Sequence, residues 1–220
     1  MIVWIWYAKT EEKMEDKVVS VGVFIDGGYY AKIDEGLKNE SSLALNLTAI
    51  LNYIRTTVSE KLGVEFTNCQ ITENHYFRGR YRVNDASNKH LLYVERKFED
   101  SMIDNDVVFH YKHLREVKKG NEVIVIEKGI DTWFALETYE LTLLRKFDVV
   151  VLITGDADHE MLVRKLKTLK SRVLLLTWNV NSQSSTSKYL KDEANWHIDL
   201  GEESIKNRSL INNLTTVINY

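Results

Sequence analysis

Short apolar runs alternate along this chain with longer stretches in which apolar residues recur every three or four positions. Residues 18–25 form a nearly continuous β-branched run, and residues 147–154 and 172–177 repeat the pattern. Continuous apolar runs of this length are typical of strands that are covered on both faces of a sheet. The pattern therefore predicts three buried strands, and a fourth is indicated within residues 69–77.

Helices are predicted in the segments that follow these strands. Between residues 43 and 58 the apolar spacing is helical, with Ser41 or Ser42 as the N-cap and Gly63 as the stop. Three more helices are predicted at about residues 88–100, 132–145 and 159–170.

Two further β-rich runs, at residues 107–114 and 122–127, are predicted either as a hairpin or as two separate strands. Strands that alternate with helices of this length imply right-handed β-α-β crossovers. The expected fold class is therefore α/β, with a central, mostly parallel sheet and helices on both of its faces.

Composition narrows the class of protein further. The chain has 220 residues, of which 44% are hydrophobic and 28% are charged, as in ordinary soluble globular domains. A net charge of −3 supplies no global attraction for nucleic acid, so phosphate contacts need a local basic patch or a bound metal. The single cysteine, Cys69, cannot form an internal disulfide and has no zinc-type spacing around it, so a cytoplasmic location is expected.

The apolar segment at residues 1–7 is far shorter than the roughly 20 residues of a membrane span, and acidic residues follow it directly. It also lacks the basic start and the small-residue cleavage site of a signal peptide. We therefore expect no membrane association. Residues 1–17 are interpreted as an N-terminal extension, in which this segment forms an extra strand, contacts a partner or results from a misplaced start.

Acidic residues close several of the predicted strands. Asp26 ends the first strand and Asp131 follows the second β-rich run, whereas Asp156 and Asp158 follow the strand at residues 147–154. In open α/β sheets the functional crevice lies beyond the carboxyl ends of the strands. Asp156 and Asp158 are two residues apart, so both side chains would point to one side if the backbone stays extended.

Carboxylates grouped in this way repel one another unless a cation or a proton lies between them. Mg²⁺ and Mn²⁺ prefer oxygen ligands, and such an ion can orient a nucleophilic water and neutralise charge on a phosphate. This chemistry cleaves phosphodiesters without a covalent nucleophile. Each acid also has a purely structural interpretation, because Asp is a favoured helix N-cap and turn residue. The recurrence of acids at several strand ends favours a functional site.

The acids lie in segments whose order along the chain is informative. These segments are Val23-Phe-Ile-Asp-Gly-Gly-Tyr29, Lys128-Gly-Ile-Asp131 with Glu137 downstream, Asp148-Val-Val-Val-Leu-Ile-Thr-Gly-Asp-Ala-Asp158 and Arg172-Val-Leu-Leu-Leu176. A further match comes from Leu190, Ala194, Asn195 and residues 198–200. In this order the chain resembles the NYN family of PIN-like nucleases, specifically a bacterial group that is also similar to the LabA proteins.

The resemblance implies a Rossmann-like PIN fold, one or two Mg²⁺ or Mn²⁺ ions, and endonucleolytic cleavage of RNA. It assigns catalytic and metal-site roles to Asp26, Asp131, Asp156 and Asp158, with Glu137 as a further metal-site acid. The domain expected from it spans residues 18–200, and residues 201–220 are predicted as a C-terminal helical extension. The apolar spacing of that extension suits docking on its own domain or on a second subunit, as in a homodimer.

RNA is the expected partner, and the basic and aromatic residues that follow the strand at residues 69–77 favour a single-stranded substrate. Single strands are held by basic grooves with aromatic platforms. The candidate contacts in a predicted loop at residues 78–82 and in the second motif are Arg78, Arg80, Tyr81, Arg82 and Lys128. Residues 110–115 form a second candidate. Each basic run taken alone also fits an ordinary solvated surface.

Three departures from the family keep other functions open. Gly27 and Gly28 follow the first acid where the family often has Asn, His159 replaces an aromatic residue, and Asn195 stands where Asp is commoner. One alternative is a non-catalytic RNA-binding or assembly module with a degenerate PIN-like site. Another is metal-dependent hydrolysis or transfer on DNA or on a small phosphate ester, because the same acids serve those reactions.

Overall fold

A computed structural model describes residues 17–82, 89–120, 122–180 and 186–218, so most of the N-terminal extension lies outside the described residues. The strands are β1 (Val19–Asp26), β2 (Leu43–Leu45), β3 (Cys69–Arg80), β4 (Val107–His113), β5 (Arg115–Lys119), β6 (Glu122–Ile126), β7 (Val149–Ile153), β8 (Arg172–Thr177), β9 (Trp196–Asp199) and β10 (Thr215–Val217). The helices are α1 (Gly27–Ser41), α2 (Leu47–Leu62), α3 (Lys89–Ile103), α4 (Ile130–Arg145), α5 (Glu160–Thr168), α6 (Lys188–Glu193), α7 (Leu200–Lys206) and α8 (Arg208–Leu214).

Six of the strands form one sheet in the order β4-β3-β1-β7-β8-β9, and all neighbouring strands in it are parallel. The chain moves from β1 outward to β3 and β4, and then returns to β7 on the other side of β1. The order therefore reverses between β1 and β7, and this reversal creates a crevice at the carboxyl ends of those two strands.

The sheet is covered on both faces because its strands alternate their side chains between two apolar cores. In β7, Val149 and Val151 pack with α1 and α2 in one core, whereas Val150 and Leu152 pack with α4 and α5 in the other. This layering explains why the strand is apolar throughout, and it confirms the predicted α/β fold with helices on both faces.

Among the described residues, two short antiparallel strand pairs lie outside the main sheet. β5 pairs with β6 in a hairpin, so the predicted run at residues 122–127 pairs with the segment that links the two runs. The run at residues 107–114 forms β4 of the main sheet, and the two predicted runs are therefore separate strands. β10 pairs with β2, so residues 215–217 of the predicted helical extension form a strand after the short helices α7 and α8. The C-terminal segment is therefore helical only in part.

The prediction for residues 26–58 was wrong in one respect. Ser41 ends α1, a helix that the polar composition of residues 27–41 concealed, and the N-cap of α2 is Asn46, whose side chain accepts the N–H of Ala49. The helix itself and its stop at Gly63, which has a left-handed φ of 65°, agree with the prediction. The α1 pattern is hard to recognise because two glycines open the helix and tyrosines supply much of its buried face.

Candidate metal centre

Asp26 lies where β1 ends and α1 begins, and its two carboxylate oxygens have different partners. Oδ1 accepts the backbone N–H of Tyr29 at 3.0 Å and so caps the helix. Oδ2 accepts the hydroxyl of Thr154, at the end of β7, at 3.0 Å. One oxygen of Asp26 is therefore a helix cap and the other is bound to the end of β7, and its role as a metal-site acid stays a prediction.

The two glycines after Asp26 allow the helix to start against the neighbouring strand. A Cβ on Gly27 would lie 2.6 Å from the carbonyl oxygen of Phe77 in β3. A Cβ on Gly28 would lie 3.3 Å from Oδ1 of Asp26 and 3.6 Å from Oε2 of Glu127. The Gly-Gly departure from the family pattern thus follows from close packing, and it lets two carboxylates approach the same backbone.

Thr154 connects the first acid to the third. Its side chain is fully buried, and its hydroxyl donates to Asp26 while accepting the backbone N–H of Asp156 at 3.3 Å. The adjacent Gly155 packs against the ring of Tyr29, where a Cβ would approach to 2.6 Å. These contacts fix the end of β7 against the start of α1, and with it the spacing between Asp26 and Asp156.

The backbone does not stay extended from Asp156 to Asp158, so the condition for their side chains to point to one side is not met. Asp156 is extended, but residues Ala157–His159 form a 3₁₀ turn that Asp156 caps by accepting the N–H of Asp158 at 3.0 Å. In a 3₁₀ turn, residues three apart lie on the same side. His159 is therefore brought to the side of Asp156, whereas Asp158 is exposed at the rim.

Asp131 completes the cluster from the first turn of α4. Gly129, with a φ of 78°, is the N-cap of that helix, so the capping interpretation of Asp131 does not apply. One ligand atom each of Asp131, Asp156 and His159 lie within 4.8 Å of one another, and among the described residues this is the group suited to hold a metal ion.

The carboxyl of Asp131 has a raised pKa. Its partial burial is the first cause, and the negative charges of Asp26 and Asp156 add to it, although the outer side of the residue is exposed to solvent. A raised pKa means that the surroundings disfavour the carboxylate form. A cation bound between these groups would remove that penalty, so the electrostatics fit a cation site.

Glu127, the last residue of the predicted strand at residues 122–127, lies near Asp26 and was not predicted as a site residue. Its Oε1 accepts the backbone N–H of Gly79, and its Oε2 lies beside Gly28. Partial burial and the charge of Asp26 raise the pKa of its carboxyl, while the Gly79 hydrogen bond and the charge of Arg78 oppose that rise. The sequence signal was available, since Glu127 follows β6 as directly as Asp26 closes β1.

Glu137 lies farther along α4 and is directed toward other groups. Its Oε2 accepts the indole N–H of Trp133 at 3.0 Å, and its charge acts on the imidazoles of His75 and His110, whose Nδ1 and Nε2 are 3.0 Å apart. The metal group identified among the described residues does not include Glu137. Its role as a metal-site acid stays a prediction.

The predicted basic loop at residues 78–82 is largely strand, because β3 continues to Arg80. Arg78 donates through Nη1 to the phenol oxygen of Tyr76 at 3.3 Å. Arg80 pairs with Glu99 at 3.4 Å and stands over the ring of Tyr111, with its Cζ 5.1 Å from the centroid. Arg80 is therefore held along the sheet edge rather than extended into solvent.

The other predicted RNA contacts are nearer to the surface. Tyr81 is half-buried and Arg82 is exposed just after β3, and Lys128 is exposed between Glu127 and α4. Lys112, from the second candidate segment, places its Nζ 3.0 Å from the position that a Cβ of Gly129 would take. Positive side chains therefore border the acidic cluster on the side of β3, β4 and the start of α4.

Asn195, where the family more often has Asp, has a structural role, since its Oδ1 accepts the N–H of Val173 at 2.8 Å. Asp199 in the same closing segment caps α7 by accepting the N–H groups of Gly201 and Glu202. Neither residue takes part in the acidic cluster that the structure describes. The Asn195 departure therefore does not weaken the candidate site.

Comparisons with known proteins identify the family of this chain. The chain matches no curated protein. One solved structure, of a protein of unknown function from Vibrio parahaemolyticus, is 14% identical in sequence and has a TM-score of 0.49. The alignment covers 85% of this chain and 96% of the Vibrio chain. Within the described residues, no helix combines the length and apolarity needed to cross a bilayer. The NYN domain model matches residues 20–201, most of the chain, and this protein therefore belongs to the NYN domain family, with a PIN-like α/β fold.

Proposed function

We propose that this chain is a metal-dependent endoribonuclease that hydrolyses RNA phosphodiester bonds at its acidic crevice. The observation that carries the proposal is the convergence of acids from β1, β7 and α4 at the switch point of the sheet, with ligand atoms of Asp131, Asp156 and His159 within 4.8 Å. Membership in a family of PIN-like nucleases supports the same activity.

Asp131 and Asp156 would hold the ion, with Asp26 beside them and Asp158 at the rim. A divalent ion, Mg²⁺ or Mn²⁺, supplies charge neutralisation on the phosphate and activation of water when it is bound. Thr154 holds Asp26 and Asp156 in register through its two hydrogen bonds. This arrangement needs no movement of the sheet, because each acid is fixed by the backbone at the end of a strand or at the start of a helix.

Glu127 has a separate part in the proposed reaction. Its raised pKa suits the carboxyl to accept a proton and return it at Oε2, on the side that faces Gly28 and Asp26. The Gly79 N–H holds the other oxygen in place. Proton exchange with the attacking water or the departing hydroxyl could then occur beside the metal site without a histidine base.

The basic border supplies the contacts to RNA. A carboxylate cluster repels a phosphodiester, so positive charges beside it are needed to bring the backbone within reach. Arg78 and Lys128 flank Glu127, and Lys112 lies at Gly129. Arg80, Tyr81 and Arg82 extend this border away from the acids, so a strand of several nucleotides would follow the edge formed by β3 and β4.

The proposal is tested by incubating a labelled single-stranded RNA with Mn²⁺, Mg²⁺ or EDTA. The wild type should cleave internally in a metal-dependent way, and Asp156→Asn should lower the rate by about 100-fold or more, since it removes a charged ligand. Asn caps a turn as well as Asp, so the 3₁₀ turn should persist. Asp192→Asn, on the exposed side of α6, is the matched control and should keep full activity.

Substrate competition separates the proposed activity from its alternatives. Cleavage of DNA or of a small phosphate ester in preference to RNA would replace the substrate in the proposal. Tight RNA binding by pure wild type without cleavage in either metal would instead identify a binding or assembly module. Equal cleavage by wild type and Asp156→Asn would refute the acidic cluster as the catalytic site.

A further inference from the structure

His159 is a buried polar side chain at the base of the acidic crevice. Only 1% of its surface is exposed, and its Nε2 finds no hydrogen-bond partner among the residues that the structure describes. The ring packs against Phe134 at 4.6 Å between centroids, and one ring nitrogen lies within 4.8 Å of ligand atoms of Asp131 and Asp156.

A buried histidine without a hydrogen-bond partner destabilises the fold, so packing alone does not explain its presence. A buried polar group without a partner loses the hydrogen bonds that water would supply, and native structures keep few of them. A phenyl ring would fill the same space against Phe134 without that cost. The imidazole therefore needs a partner that the described residues around it do not provide, and the two acids beside it point to a cation.

We infer that His159 donates an imidazole nitrogen to the ion held by Asp131 and Asp156, and that this nitrogen makes the site prefer Mn²⁺ over Mg²⁺. The inference rests on the proposed function for the existence of the metal site, but it concerns His159, which is not one of the acids proposed to hold the ion. Mg²⁺ demands oxygen ligands and retains its water, whereas Mn²⁺ is a first-row ion that accepts imidazole more readily.

The local backbone explains how the nitrogen reaches the site. A side chain directly after an extended Gly-Asp-Ala-Asp segment would not return to the first acid, whereas the 3₁₀ turn at Ala157–His159 puts the residue three positions after Asp156 on the same side. Packing on Phe134, which belongs to α4, then holds the ring between the two elements that carry the acids.

Pulsed electron paramagnetic resonance of the Mn²⁺-loaded full chain tests the inference directly. The wild type should show nitrogen-14 modulation of the manganese signal, and labelling of histidine with nitrogen-15 should change the modulation accordingly. His159→Phe should abolish it, and His197→Gln, a histidine change on β9, should leave it intact. The labelled wild type gives an answer even if the variant folds poorly.

Metal titration measures the proposed selectivity. Changes to groups that only support a metal ligand weaken metal binding by about 10–100-fold, so loss of a direct ligand in His159→Phe should weaken Mn²⁺ binding by about tenfold or more. Binding of Mg²⁺ should change by less than about threefold. A wild type without nitrogen modulation, or an unchanged ratio of the two affinities in His159→Phe, would overturn the inference.

The cleavage assay distinguishes this failure from a failure of the proposed function. If RNA cleavage depends on metal and is lost in Asp156→Asn, the proposed nuclease function holds. If the manganese signal of the same protein shows no nitrogen modulation, His159 is not a ligand of the metal. Nitrogen modulation in a protein that cleaves no RNA would keep the metal ligand and reject the nuclease.

Discussion

Replacing Asp131 by Asn should make the metal-free protein more stable, because the charge it removes is repelled by its neighbours. Asp131 and Asp156 have ligand oxygens within 4.8 Å. Two unit charges at that distance repel by about 0.9 kcal/mol at the dielectric of water and about 3.5 kcal/mol at an effective dielectric of 20. The outer side of Asp131 faces solvent, so the lower half of this range applies.

One favourable interaction is lost in the same replacement. Asp131 lies in the first turn of α4, where a negative charge interacts with the helix dipole by about 0.3–1 kcal/mol. The net effect expected for Asp131→Asn in EDTA at pH 8 is therefore a gain of about 1 kcal/mol in the free energy of unfolding. For a chain of this size, that gain corresponds to a rise of about 2–4 °C in Tm.

Urea unfolding in EDTA and in saturating Mn²⁺ gives the decisive comparison. Metal at about 100 times its dissociation constant should stabilise the wild type by about 2.7 kcal/mol, and it should stabilise Asp131→Asn far less. The order of stability should therefore reverse between the two conditions, while Asp192→Asn follows the wild type in both. A variant that is less stable than wild type in EDTA would refute the repulsion between these carboxylates.

Three further outcomes are expected. Burial, with the nearby His75, lowers the pKa of His110 to about 4, so the folded chain binds this proton at a lower pH than the unfolded chain. Stability should fall as pH falls from about 6.5 toward 4, and a urea series should show a shallower fall in His110→Gln. Gly27→Ala should destabilise the fold by about 1–3 kcal/mol in the same assay, because its Cβ would clash with the carbonyl of Phe77. Thr154→Val keeps the volume but breaks both hydrogen bonds, so RNA cleavage should fall about tenfold while circular dichroism stays unchanged; full activity would contradict its positioning role.

Much of the fold could be predicted from local pattern. The β7 strand and the helix after it were recognisable because burial on both faces of a sheet requires an unbroken apolar run, and burial on one face of a helix requires apolar residues at helical spacing. The helix α1 escaped notice for the corresponding reason, because its buried face uses glycine and tyrosine.

Part of the candidate site could also be predicted from local sequence pattern, and part could not. Asp26, Asp131 and Asp156 were identified because each follows an apolar run, and the structure brings them to one crevice. His159 and Glu127 were not predicted as site residues. The placement of His159 depends on a 3₁₀ turn that has no local sequence signature, whereas Glu127 follows β6 directly and could have been recognised from that position. Arg78 and Arg80 were expected in a loop because charged residues at a sheet edge resemble a loop in sequence.

The sequence by itself determined the family, the alternation of strands and helices, and the positions of acids at strand ends, because these features follow from short-range burial and from residue order. Only the tertiary structure decided that β1 lies between β3 and β7, and it is this placement that brings Asp26 to Thr154 across a sequence separation of 128 positions. Strand order depends on which crossovers pack best over the whole sheet. Contacts between distant residues therefore emerge only once that packing is established.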